Sequence, residues 1–182
     1  MRRGRAVGIL LLAAAIAPWA NRAGAATVPE PTGYRAAPYL APVPETVRGA
    51  LTIDTATARQ LHAAGAPFID VFPRKARPEG LPPGTIFREP PHLSIPGAIW
   101  LHDTGYEALS PVEDARLRDG LAAASGGDRA AVMVIFCRRD CWLSWNAARR
   151  AAAMGYTGIR WFPEGVEGWQ EAGGALAPVT AP

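Results

Sequence analysis

Short apolar runs rich in β-branched and aromatic residues recur at positions 67–72, 98–101, 130–136 and 159–162, and alanine-, leucine- and arginine-rich stretches lie between them. The first set reads as buried strands and the second as helices. Local signals punctuate the helices. Asp54 or Thr55 can cap a helix over residues 56–64 that Gly65 ends. Ser110-Pro111-Val112-Glu113 sets a capping serine, a first-turn proline and a glutamate ahead of a helix running to about Ala124. A third helix runs from Leu143 to Met154, and a short one opens in Glu164-Gly165-Val166-Glu167-Gly168-Trp169. Residues 47–53 are expected to form a short entry strand. Strands alternating with helices across short turns predict an α/β domain whose central, mainly parallel sheet is flanked by helices. Sites in such sheets lie at the C-terminal ends of strands.

Proline interrupts this pattern in two places. Pro29, Pro31, Pro38, Pro42 and Pro44 make residues 26–46 an extended arm, with Tyr34, Tyr39 and Leu40 available to dock it. Between Val71 and Ile95, Pro73, Pro78, Pro82, Pro83, Pro90 and Pro91 are mixed with Arg74, Lys75, Arg77 and Arg88. That stretch is too long for a simple connection and is either a lid or a solvated surface loop. The domain is expected over residues 47–175, leaving 176–182 as a tail.

The N-terminus reads as a signal peptide over residues 1–25: basic Met1-Arg2-Arg3-Gly4-Arg5, an apolar run, then Ala23-Gly24-Ala25 for cleavage. Export to the periplasm follows, with no membrane attachment after cleavage. Removing that segment takes four arginines and no acid from 19 basic and 16 acidic residues, leaving a formal charge of −1. The apparent pI of about 9.2 therefore resides largely in the leader and implies no nucleic-acid partner. With 49% hydrophobic residues the rest can fill one core.

The candidate chemistry lies where the third strand ends. Cys137, at the handover from strand to helix, meets backbone N–H groups and a helix dipole that favour thiolate over thiol and can hold an anion. Cys141 is within disulfide reach if the Cβ atoms converge. So short a loop would contribute only about 2 kcal/mol as a staple. A redox or sulfur-handling pair, with Cys137 as nucleophile and Cys141 as resolving thiol, is favoured. Trp142 stands where c-type haem attachment needs histidine. His62, His92 and His102 stand apart along the chain, and no metal site is expected. Asp70, near a strand end, either accepts backbone N–H bonds or has a direct chemical role. Ser144 and Asn146 either cap the helix or donate to a bound anion.

Phe68-Ile69-Asp70-Val71, Ile95-Pro96-Gly97-Ala98, Phe136-Cys137-Arg138, Ala147-Ala148, Gly155-Tyr156-Thr157 and Glu164-Gly165-Val166-Glu167-Gly168-Trp169 together resemble the rhodanese-like sulfurtransferase domain. The resemblance implies a persulfide-forming cysteine at Cys137, opening a loop that cradles an anion. Two departures stand out. The arginine that closes this cradle in active loops, five residues after the cysteine, is here Trp142. The usual arginine after the Ile-Asp-Val strand is Phe72, with Arg74 and Lys75 nearby. Arg138 and Arg139 can partly substitute, because guanidinium groups grip sulfur oxyanions with paired donors.

Residues 141–148, with Gly33-Tyr34-Arg35 and Ala41-Pro42-Val43-Pro44, are also similar to exported proteins named for a CXXCW motif and associated with pyrroloquinoline-quinone (PQQ)-dependent alcohol catabolism. That similarity implies an accessory role beside a periplasmic quinoprotein dehydrogenase or its cytochrome, with no cofactor assigned to this chain itself. The expected function is sulfur transfer or thiol redox chemistry at Cys137 and Cys141, with a small sulfur donor or thiol as substrate. The alternative is a non-catalytic binding module whose cysteines are locked as a disulfide. Arg138, Arg139, Trp142 and Ser144 are the expected anion or substrate contacts, with Asp70 and Arg74 in support.

Overall fold

The computed structural model describes residues 28–182; the expected signal peptide lies outside the described residues. Along the chain come β1 (Leu51–Thr52), α1 (Thr55–Ala63), β2 (Phe68–Asp70), β3 (His92–Ser94), β4 (Ile99–Trp100), α2 (Pro111–Ser125), β5 (Met133–Phe136), α3 (Trp142–Ala153), β6 (Ile159–Phe162), α4 (Gly165–Glu171) and β7 (Ala177–Val179). Five strands form one sheet in the order β1-β6-β5-β2-β4, with every adjacent pair parallel. The α/β architecture expected from the alternation is the observed one.

Side-chain alternation divides the core between the two faces of that sheet. Met133, Ile135, Ile69 and Trp161 point to the face covered by α2 and α3, where they meet Leu117, Leu121 and Trp145. Val134, Phe136, Phe68 and Phe162 point to the other, against Ala58 of α1 and Trp169 of α4. Period-two alternation is what a strand buried on both faces imposes. Capping follows the sequence too. Asp54 accepts from the Thr57 N–H, and Ser110 with Glu113 closes a full capping box before α2, which ends at a left-handed Gly126.

Helix α3 departs from the amphipathic norm, with nine of its twelve residues buried. The sheet covers one side and the proline-rich arm covers the other. Asn146 exchanges hydrogen bonds with the backbone of Arg35, accepting from its N–H at 2.8 Å and donating to its carbonyl at 2.9 Å. The indole of Trp145 donates to Thr46 O at 2.9 Å, and Arg149 donates to the carbonyls of Pro31 and Thr32. Tyr39 packs on Tyr106 with ring centroids 5.5 Å apart, and Tyr34 sits under Arg149 and Arg150. Leu40 differs from expectation: its side chain is 61% exposed, and its backbone makes the contact instead, bridging to Cys141.

Three other expectations shift. Residues 47–50 close a turn, so only Leu51–Thr52 remains as strand. Part of the expected tail forms β7, which pairs antiparallel with β3 in a second, two-stranded sheet. The segment from Pro73 to Pro91 contains no helix or strand and is largely exposed. None of its residues lines the cleft at Cys137; Pro73 at its start borders the groove at Cys141, together with Pro38, Tyr39 and Leu40 of the arm.

Candidate functional site

Chain order β5, loop, α3 puts Cys137 directly beyond a fully buried strand and Cys141 at the N-cap of the helix. Between them Asp140 takes a left-handed conformation, φ 53°, which reverses the chain and turns the two thiols toward each other. Their sulfurs are 2.7 Å apart, both residues are 1% exposed, and both are free thiols. The disulfide-locked pair of the non-catalytic alternative is not formed. A bonded pair has sulfurs about 2.05 Å apart, so oxidation needs only a small approach.

The two thiols have opposite electrostatics. Burial pushes the Cys137 thiol well up, reinforced by its hydrogen bond to Cys141 and by the Asp70 charge. Cys141 is drawn down, first by its hydrogen bond with Cys137, against the cost of its burial. The backbone N–H groups of Leu143 and Ser144 contribute in the same direction, although no complete cap hydrogen bond is closed. The helix N-terminus thus favours a thiolate at Cys141, whereas the sequence pointed to Cys137 for that role. The cap position lies at the positive end of the helix dipole, which favours the charged form there.

The cysteines open onto different clefts. Cys137 lines one of about 230 Å³ together with Asp70, Phe72, His92, Arg138 and Glu167. Cys141 lines a groove of about 410 Å³ with Pro38, Tyr39, Leu40, Tyr106 and Leu143. Phe72 borders both, so the residue in the usual arginine position forms a wall between them.

Oxyanion donors expected around Cys137 are engaged elsewhere. Arg138 Nε donates to Glu167 Oε1 at 2.8 Å, and the Arg139 N–H donates to Glu167 Oε2 at 2.8 Å. Burial works against ionising Glu167, but these donors outweigh it and hold its carboxyl below the usual range. Arg139 forms a paired contact with Glu171, at 2.7 and 2.6 Å. Trp142 gives its backbone N–H to Tyr39 O at 2.8 Å and its indole N–H to Pro42 O at 3.1 Å. Ser144 donates to Cys141 O and accepts from Trp161. Of these four residues only Arg138 lines the Cys137 cleft. Arg74 pairs with Glu89 on the surface and is not brought to the cysteines. At such exposed sites solvent screens an ion pair, so the carboxylates matter more for the charge they place than for stability.

Asp70 does reach the cleft. Its carboxylate accepts from Phe72 N, Ser94 Oγ and His92 Nε2, at 2.8, 2.5 and 2.7 Å. His92 was not expected there, because nothing in the local sequence after Pro90-Pro91 points to it. Glu167 and Glu171 left a fainter signal: two acids four apart on one helix face, matching adjacent Arg138 and Arg139. No group of three or more His, Cys, Asp or Glu side chains is gathered for a metal ion among the described residues.

The family model for the rhodanese-like domain matches residues 54–172. The chain belongs to that family. A comparison with curated proteins found no match. Among solved structures, an uncharacterized protein from Saccharomyces cerevisiae is 16% identical, the alignment covering 68% of this chain and 93% of that one, with a TM-score of 0.38. In this rhodanese-like domain, then, the family's cysteine loop is present between β5 and α3, while its anion donors are turned to partners within the chain.

Proposed function

We propose that this rhodanese-like domain is a thiol oxidoreductase in which Cys141 and Cys137 cycle between dithiol and disulfide. The observation that carries it is the pair itself, two free buried thiols with sulfurs 2.7 Å apart, the one at the helix cap depressed by the other. Cys141 thiolate attacks a sulfur of a disulfide donor in the groove, forming a mixed disulfide and releasing one donor thiolate. Cys137 then attacks Cys141 Sγ, breaking the mixed disulfide and releasing the second thiolate. The pair loses two electrons to the donor, and its two protons end on the two released thiols. A persulfide on Cys141 would be discharged by the same second step.

Two carboxylates at the Cys137 cleft, with its single arginine already paired, weigh against dianionic thiosulfate as donor. We also place this chemistry, on the sequence resemblance of residues 141–148 and of the leader, in an exported accessory protein serving PQQ-dependent alcohol catabolism. Its partner there is a quinoprotein dehydrogenase or its cytochrome.

Alkylation-trapped intact mass, measured after exposure to a low-molecular-weight disulfide or to a sulfane-sulfur donor, tests the chemistry. The wild-type chain should form a reducible internal disulfide, and Cys137→Ser should hold the donor on Cys141. A donor retained on Cys137 in Cys141→Ser, at the wild-type capture rate, would refute the order of attack, and no internal disulfide under either donor would refute the cycle. For the pathway, cells lacking the chain should lose PQQ-dependent alcohol oxidation; unchanged oxidation counts against it.

A further inference from the structure

Cys137 is the resolving thiol of the cycle proposed above, so discharging a mixed disulfide on Cys141 requires the Cys137 proton to leave. The cleft on the Cys137 side contains an acceptor held from several directions. His92 Nε2 is 2.7 Å from Asp70 Oδ2; with the Nε2–H turned to that carboxylate, a neutral ring has its lone pair on Nδ1. No hydrogen bond to Nδ1 is formed among the described residues. The ring is stacked between Phe72, parallel within 2°, and Trp100, at 4.2 Å between centroids. The Trp100 indole donates to Phe72 O at 2.7 Å and fixes that sandwich. The backbone of His92 is paired with Val179 in the second sheet. Asp70 is 1% exposed and satisfied by three donors.

A carboxylate that needed only structural partners would be served by Phe72 N–H and Ser94. The imidazole adds a titratable group with a free nitrogen, in the same cleft as the thiol that must be deprotonated. Charged and titratable groups facing it are Asp70 from β2, Cys137 and Arg138 from the loop after β5, Glu167 from α4, and Lys75 and Glu89 on the side of the proline-rich segment.

We propose that His92, oriented by Asp70, is the proton acceptor for Cys137 in the resolving step. The Cys137 Sγ–H proton passes to His92 Nδ1, directly or through a water in the cleft. Cys137 thiolate then forms the bond to Cys141 Sγ as the bond to the donor sulfur breaks. The departing thiolate takes up a proton from solvent in the Cys141 groove, and the imidazolium releases its proton to water in the Cys137 cleft. Asp70 is the positioning residue. This rests on the dithiol–disulfide cycle proposed above, with a disulfide compound as the oxidant.

The test separates capture from resolution. Wild type and His92→Gln, which keeps an amide donor for Asp70 but does not titrate, are mixed with a small disulfide and quenched with acid over a pH series. Intact mass then counts mixed and internal disulfide. Capture on Cys141 should be unchanged. Resolution in His92→Gln should be slower by about tenfold or more at neutral pH, the lower end of general-base effects being about 10², and should converge on wild type at alkaline pH, where hydroxide ionises the thiol. Free imidazole should restore resolution in His92→Ala. A wild-type pH profile in His92→Gln, a loss equal at every pH, or no response of His92→Ala to imidazole would overturn the relay while leaving the cycle standing. Absence of any internal disulfide in the wild-type chain would instead remove the cycle itself.

Discussion

Replacing Asn146 with alanine should lift the arm from the cysteine loop. Asn146 is fully buried in α3, and its amide makes three hydrogen bonds: from Arg35 N–H, to Arg35 O and to Gly105 O. The two to Arg35 tie down the arm, whose Tyr39 O and Ala41 N–H close over Trp142 N–H and Asp140 O, at 2.8 and 3.0 Å. Arg35 can rehydrate once the arm moves, so each lost bond counts at its net value of about 1 kcal/mol. Arm closure thus weakens by about 2 kcal/mol, which is about a 30-fold rise in the open population. The Gly105 carbonyl stays buried and unpaired, costing the whole fold about 1–3 kcal/mol more. Hydrogen exchange at the Trp142 amide and alkylation of Cys141 report the first quantity, and thermal denaturation reports the second. If the melting temperature falls while Trp142 exchange and Cys141 alkylation stay within twofold of wild type, the arm is not held by Asn146 and does not gate Cys141.

Gly165→Ala tests how close α4 comes to the loop. A Cβ there would stand 2.4 Å from Cys137 O at a residue with φ 55°, so urea denaturation should show a loss of about 2–4 kcal/mol; a loss under 0.5 would mean that the loop yields freely. Cys137→Ala removes the donor that most depresses Cys141. Alkylation of Cys141 should then slow at neutral pH and its profile move to higher pH, and a profile moved the other way would contradict the assignment. Glu167 has a folded-state titration below its ordinary value. Its contribution to stability is therefore present above the ordinary glutamate range and lost as pH falls through the lower folded value. Glu167→Gln should flatten the acid limb of the stability profile and release Arg138; an unchanged limb would place the acid sensitivity elsewhere. Trp145→Ala empties a fully buried site, and calorimetry should show a loss of about 3–5 kcal/mol.

The parallel sheet, its helices and the position of both cysteines were legible in the chain, because each rests on local physics: apolar runs, caps at Asp54 and Ser110, and a strand running into a helix. The family was legible for the same reason, through short motifs carried by those elements. What the cysteine loop can do was decided only on folding. The arm, far away in sequence, engages the N–H of Trp142 through Tyr39 and covers Cys141. Helix α4 brings Glu167 and Glu171 to the arginines that were free on paper. The former tail becomes β7 and holds β3, which delivers His92 to Asp70. Burial and proximity also act on the electrostatics of the two thiols. A thiol's ionisation depends on the solvent it loses and the donors it meets, and both are supplied by segments far along the chain. The strand-to-helix turn sets where Cys137 and Cys141 sit, and distant packing sets which of them carries the charge.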